Sequence, residues 1–240
     1  MFELGKWLAK LLYTHSSYKE LRNFVLDAEA FTEYIKTRTL HTSKENEESE
    51  IINESYIRKI LEEHTKRAIE DALDHYSRQM IVTTATYCEA ILSEFFNNFF
   101  TYNQESMHDY INDESAKIGR GYIKISEVLS KDNIEEIKRE LVVRATKNAV
   151  GGSLETISIR IHKLTKQQVA KDLVKGIQGM LNVRNSIVHE DDELEITAKN
   201  VEKAFSLAED LLKVLGKISK KINLPYYDPA YIIDKRPGEV

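Results

Sequence analysis

The stretch TTATYCEAILSEFFNNFF, residues 83–100, decides the fold class of this chain. Its apolar residues recur at helical spacing, and the pattern extends back to Ile51 without a single Gly or Pro. Because long stretches without helix breakers favour helices over sheets, the run predicts one very long helix. Its aromatic end predicts buried core rather than a binding surface, and comprises Phe95, Phe96, Phe99 and Phe100.

Helical patterns continue on both sides of this element. Residues 2–40 predict one or two amphipathic helices, whose apolar stripe is formed by Leu4, Trp7, Leu8, Leu11 and Leu12. The polar run 41–50 predicts an exposed linker. Later helices are expected to start after Asn133 and to span 154–164, 167–188 and 197–222. We therefore predict an all-α protein with an N-terminal helical segment (1–45), a helical bundle (46–222) and an extended C-terminal tail (223–240) on the surface or on a partner.

Composition limits the function classes. The 240 residues include 34 Lys and Arg against 39 Asp and Glu, a net charge of -5. This balance argues against a nonspecific nucleic-acid coat protein, although an enzyme could still hold a few phosphates locally. No apolar stretch approaches the ~20 residues of a membrane span, and the first residues lack the cleavage site of a secretory signal. The single cysteine, Cys88, excludes an internal disulfide framework and suits a reducing compartment, so a cytoplasmic location is expected.

One segment carries candidate chemistry, the run LNVRNSIVHE from Leu181 to Glu190. It ends an apolar helix and precedes more acidic residues. Asn185 and His189 are four residues apart and share a helix face. Arg184 and His189 are five apart, or about 140° around a regular helix, so both can reach one point only with a distorted helix end or a second copy of the motif. The two residues before His189, Ile187 and Val188, are expected to face the core.

These side chains suit phosphoryl transfer on RNA. The imidazole of His189 can accept the proton of a ribose 2′-hydroxyl or return one to the leaving 5′-oxygen. The guanidinium of Arg184 can hold phosphate oxygens in a fork as negative charge develops on them. Asn185 could orient the phosphate or the imidazole. Because RNA supplies its own nucleophile, the reaction requires no metal or other cofactor.

Spacing alone does not establish such a site. A match to Arg-x(4–6)-His is expected about once by chance in this composition, and a second match, Arg58 to His64, lies inside a patterned helix and is read as surface. A structural role is open for the first match too, with Arg184 paired to Glu190 or Asp191 and His189 capping helix carbonyls. The remaining histidines show no paired ligand spacing, so no metal site is expected. The sequence also contains no phosphate-binding glycine loop. Cys88 lies on an apolar helix and is predicted to be core.

The sequence context adds a resemblance. The run RNSIVHE, with an apolar helix before it and an acidic turn and an amphipathic helix after it, resembles the HEPN superfamily. It looks closest to the RiboL-PSP and MAE-type branches of bacterial defence and toxin systems. The resembling region runs from about Tyr76 to Leu215. The helix HYSRQMIVTTATYCEAILSEFF is similar to an earlier HEPN helix with a Ser/Thr-x-x-Glu-like pattern, here Thr86 to Glu89.

This resemblance implies a helical bundle that forms a homodimer, so that two Arg/His motifs meet across a twofold axis. It implies metal-independent endonucleolytic cleavage of RNA, with Arg184 holding the phosphate, His189 as general acid or base, Asn185 as a positioning residue and Glu89 as a third member of the site. A protein that inhibits or triggers the enzyme is a further implied partner. Two other function classes stay open: a HEPN-like module that binds RNA or a nucleotide without cutting, and a dimerisation or adaptor subunit.

Overall fold

The computed structural model describes residues 1–36, 41–42, 50–51, 55–112, 133–189 and 194–234. Eight helices make up most of this part of the chain, which confirms the predicted all-α class. They are α1 (Leu4–Leu26), α2 (Ala28–Lys36), α3 (Ser55–Tyr102), α4 (Gln104–Asn112), α5 (Ile134–Ala149), α6 (Leu154–Thr165), α7 (Lys171–Val188) and α8 (Ala198–Lys221). Two short strand pairs accompany them. Strand β1 (Phe2–Glu3) pairs in parallel with β4 (Tyr226–Tyr227), and β2 (His41–Thr42) pairs antiparallel with β3 (Glu50–Ile51). No described helix has the length and apolar character needed to cross a membrane.

Helix α3 is the central element of the bundle, as its uninterrupted pattern predicts. It is 48 residues long and contacts α1, α5, α7 and α8. Its C-terminal half supplies much of the core, because residues spaced three or four apart fall on one face. This buried set includes Ile81, Ala85, Cys88, Ile91, Leu92, Phe95, Phe96, Phe99 and Phe100. The prediction that the four phenylalanines form core is confirmed.

The N-terminal segment shares this core. Leu4, Trp7, Leu8 and Leu11 of the predicted stripe are buried, and α1 packs against α3 and α8. The carboxylate of Glu94 on α3 fixes the start of α1. It accepts the backbone N–H of Glu3 at 2.8 Å and the indole N–H of Trp7 at 2.9 Å. The backbone N–H of Glu3, at the N-cap of α1, has no intrahelical acceptor, so this distant carboxylate serves as its partner.

The later helices begin where local signals predict. Asn133 caps α5, Ser153 caps α6, and Thr197 forms a capping box with Asn200 at the start of α8. Helix α7 differs, since it begins at Lys171 and not at residue 167. Lys166 ends α6 in the left-handed conformation, at φ 57°, and the following residues remain non-helical while Val169 inserts into the core. Burial of Val169 thus delays the next helix by one turn.

The C-terminal tail follows a different course from the one expected. Residues 223–231 are non-helical, as predicted, but the segment 224–234 does not lie loosely on the surface. Leu224, Ile232 and Ile233 are buried in the core. The Asp228 carboxylate accepts the backbone N–H groups of Ile232 and Ile233 and so fixes a 3-10 turn. The segment packs into the core although it is not helical. Burial of three apolar side chains stabilises the fold whether or not the backbone that carries them is regular.

Candidate functional site

The site predicted around Arg184 and His189 lies at the C-terminal end of α7. The helix is regular up to its last residue, and the backbone N–H of His189 still donates to the carbonyl of Asn185 at 3.0 Å. Asn185 and His189 are exposed on one face of this end. The structure thus presents an imidazole and an amide side by side to solvent.

Burial falls steadily along one stripe of α7. Ile177 is fully buried, Leu181 and Arg184 are half-buried, and Val188 is 56% exposed. The expectation that Ile187 and Val188 both face the core is therefore correct only for Ile187, which packs against the core. The last turn of α7 extends beyond the core, so a residue on a buried stripe becomes exposed there.

Arg184 contacts Glu89, which lies on α3. The terminal guanidinium nitrogen of Arg184 donates to a carboxylate oxygen of Glu89, in an ion pair that links two helices 95 residues apart. The Arg184 side chain is 26% exposed and that of Glu89 50% exposed. The Nε atom of Arg184 is buried without a hydrogen-bond partner among the described residues. The structure therefore brings together two of the four predicted site residues, and leaves donor capacity on the guanidinium.

The structural alternative for Arg184 named Glu190 and Asp191 as its partners, and both residues lie outside the described part of the chain. The other half of the predicted Thr86-x-x-Glu89 pattern does not take part in the ion pair. The hydroxyl of Thr86 donates to the carbonyl of Val82, one turn earlier in α3. Glu89 is thus the member of that pattern that reaches α7.

The regular helix settles how Arg184 and His189 are related within one chain. Their five-residue separation rotates them by about 140°, and the intact helical bond at His189 excludes the distorted helix end that could have brought them together. Arg184 faces α3, whereas His189 faces away from it.

A groove beside α7 was missed by the sequence analysis. This α6–α7 groove lies between the two helices and has a volume of about 760 Å³. Its lining includes Ser158, His162, Lys171, Lys175, Gln178 and Asn182. Gln178 crosses its floor, accepting the backbone N–H of Leu154 at 2.9 Å and donating to Asn182 at 3.0 Å. The polar stripe at three- and four-residue spacing on α7 was the signal that could have indicated it.

Arg78 was also missed, although it fixes the chain that follows His189. Its guanidinium donates to the carbonyl of Leu194 at 2.6 Å and pairs with Asp74 at 2.8 Å. Its position on α3 lies eleven residues before Glu89, so two arginine contacts connect α3 to the region around the end of α7. No sequence spacing relates Arg78 to Leu194, which is 116 residues away.

Two other kinds of chemistry find no support at described positions. The thiol of Cys88 is fully buried, and burial, with a smaller contribution from the Glu89 charge, raises its pKa to about 12. A thiol in that environment is not a nucleophile at neutral pH. Within the described ranges, no three His, Cys, Asp or Glu side chains form a group suited to a metal ion.

Comparison of the chain with protein-family models, with curated proteins and with solved structures finds no match.

Proposed function

We propose that this protein is a metal-independent endoribonuclease of HEPN type, with a site composed of Arg184, Asn185, His189 and Glu89. The observation that carries the proposal is the Arg184–Glu89 ion pair at the same end of α7 as the exposed imidazole of His189. A half-exposed pair of this kind contributes little to stability, about 0–1 kcal/mol. Stability alone therefore does not account for the ion pair. We infer that Glu89 orients the guanidinium of Arg184 for its role in the site.

The proposed reaction uses the substrate's own nucleophile. The 2′-oxygen of a ribose attacks the adjacent phosphorus, the bond from phosphorus to the 5′-oxygen breaks, and a 2′,3′-cyclic phosphate and a 5′-hydroxyl are formed. The imidazole of His189 accepts the 2′-hydroxyl proton, and the imidazolium so formed gives that proton to the leaving 5′-oxygen. Arg184 stabilises the charge on the phosphate oxygens, and Asn185 orients the phosphate. Glu89 holds Arg184 in position.

The proposed active form is a homodimer. Arg184 and His189 of one chain point to different sides of α7, so a shared cleft needs Arg184 from one copy and His189 from the other. A twofold axis near the end of α7 would create two such clefts at once. The angle of about 140° between Arg184 and His189 within each chain is then compatible with catalysis.

The proposed biological setting follows from the resemblance. It is phage defence or a toxin system in the cytoplasm, with a protein partner that restrains or triggers the nuclease. The lone buried Cys88 is consistent with a reducing compartment.

A second candidate function is a HEPN-like module that binds RNA or a nucleotide, or that mediates dimerisation, without cutting. One observation favours it. The carboxylate of Glu89 already occupies a guanidinium nitrogen that phosphate would use. A substrate would have to share or displace this contact.

Cleavage of labelled RNA in EDTA distinguishes the two functions. We would incubate the wild type, Arg184→Ala and His189→Ala with end-labelled single-stranded and structured RNA. We expect the wild type alone to cut and to leave cyclic phosphate ends, with each variant slower by at least about 10²-fold. Dimeric, folded protein that never cuts would favour the binding module. Equal cutting by all three proteins would place the activity elsewhere and contradict these residue assignments.

A further inference from the structure

We propose that single-stranded RNA binds along the α6–α7 groove, so that one end of the bound strand lies at His189. This inference rests on the proposed nuclease function and names the path by which its substrate reaches the site. The sequence motif concerns only the last turn of α7, whereas the groove involves the preceding three turns and the neighbouring helix.

The geometry of α7 aligns the groove with the proposed site. At 100° per residue, Lys171, Lys175, Gln178 and Asn182 fall within about 40° of His189 around the helix. Asn185 lies on the same face. This polar stripe is about 27 Å long from Lys171 to His189, at 1.5 Å per residue. A strand lying along it would therefore continue directly to the imidazole.

The groove is open to a ligand along this stripe. A Cβ placed at Gly179 would meet no side chain and no neighbouring element within 4 Å, so the middle of the stripe has free space in front of it. On the opposite wall, Ile159 of α6 is 61% exposed, and Val174 adds apolar surface on the α7 side. Nucleotides suit a groove of this kind, because their bases and riboses pack on apolar surface while their phosphates seek cations.

Local charge favours a polyanion. Although the chain carries a net charge of -5, the groove is lined by two lysines, Lys171 and Lys175, and by a single carboxylate. Neither Lys171 nor Lys175 forms an ion pair or a side-chain hydrogen bond with any described residue. Glu155 is the one carboxylate in the groove wall, at the first turn of α6. Unpaired ammonium groups on a groove are the feature by which single strands are held without sequence preference.

The structural amides add contacts that a phosphate backbone can use. Gln178 and Asn182 are hydrogen-bonded to each other and to the start of α6, so their positions are fixed before a ligand binds. The exposed face of α7 carries two lysines and three amides. The groove therefore combines cations and amides for a phosphate backbone with apolar surface for bases and riboses.

The test measures binding without cutting. Full-length His189→Ala, in EDTA, is titrated against a 5′-fluorescein 12-nucleotide oligouridine by fluorescence anisotropy, alone and with Lys171→Gln/Lys175→Gln. We expect the double substitution to weaken binding about 10-fold and to lower the slope of log K against log salt by about 1.4, the value for two lost phosphate contacts on a single strand. The matched control is Lys59→Gln/Lys66→Gln, which removes the same charge from exposed positions on α3 and should leave both quantities unchanged.

Equal binding by the groove and control variants would overturn the proposal, and so would no measurable binding by the parent protein. A shift of the groove variant from dimer to monomer in sedimentation would assign the groove to a second copy and would overturn it too. Cleavage by the otherwise wild-type chain is scored separately. If Lys171→Gln/Lys175→Gln cuts RNA as fast as the wild type, the groove fails and the nuclease stands. If binding depends on the groove but the wild type never cuts, the groove stands and the nuclease fails.

Discussion

Glu89 lies half-exposed on α3, and its carboxylate contacts the guanidinium of Arg184 on another helix. Each neighbour of Glu89 in the chain has a plain structural role, since Cys88 is core and Ala90 packs against it. Glu89 itself buries little surface. Solvent screens an ion pair at such an exposed position, so its loss should change the free energy of unfolding only slightly. Its position is best explained by what it does to Arg184.

At this residue we expect stability and activity to separate. Glu89→Gln should change the free energy of unfolding by less than about 1 kcal/mol. It should also slow RNA cleavage roughly 10- to 100-fold, because small misplacements of a group that contacts the transition state have effects of that size. Urea denaturation and the cleavage assay measure the two quantities.

The control for this substitution is Glu62→Gln, an exposed position on the same helix, which should alter neither quantity. Glu89→Asp, which keeps the charge, should recover part of the rate. A marked loss of stability in Glu89→Gln with an unchanged rate would make Glu89 a structural residue only.

Among the elements, α8 and α7 each contain a glycine whose surroundings can be compared, Gly216 and Gly179. Gly216 of α8 lies where the start of α1 and the C-terminal 3-10 turn meet. A Cβ there would lie 2.5 Å from a methyl of Ile233 and closer still to a methyl of Leu4. Gly179 of α7 has open space at the same position. The first glycine permits close packing, whereas the second only weakens its helix.

The two alanine substitutions should therefore shift stability in opposite directions. Gly216→Ala should destabilise the protein by about 1–3 kcal/mol, since both neighbouring side chains are held in a filled core. Gly179→Ala should stabilise it by about 0.5–1 kcal/mol, through the higher helix propensity of alanine. Urea denaturation followed by the fluorescence of Trp7, the single tryptophan, measures both. Equal effects of the same sign would contradict the packing described at Gly216.

At the scale of the whole molecule, one core joins the N-terminal helix, the bundle and residues 224–234. The predicted boundaries at residues 45 and 222 stay predictions, although the parts that they separate are in contact. Arg184 and His189 lie on different sides of α7. The site is therefore proposed to be completed by a second copy of the chain.

Mixing two inactive variants tests that requirement. If each cleft takes Arg184 from one copy and His189 from the other, a heterodimer of Arg184→Ala with His189→Ala contains one intact cleft of two. Unfolding and refolding the two variants as an equal mixture should then restore about a quarter of the wild-type activity, because half of the dimers are mixed. Each variant refolded alone is the control. A mixture as inactive as its components would contradict a site shared in this way.

The features that could be predicted from sequence are local ones. Helical periodicity gave α3 and its phenylalanine core, and capping residues such as Asn133, Ser153 and Thr197 gave helix starts, because these signals act within one or two turns. The candidate motif was visible for the same reason, since Arg184, Asn185 and His189 belong to one helix end. Glu89 was predicted as a site residue only from the resemblance to the HEPN superfamily.

Contacts between distant parts of the chain could be seen only in the tertiary structure. It joined Glu89 to Arg184, tied Arg78 to Leu194, buried Ile233 and opened a groove beside α7. The late start of α7 belongs here too, because burial of Val169 outweighs local helix preference. Burial and ion pairing depend on which surfaces meet, and no spacing along the chain specifies that when the partners are about a hundred residues apart.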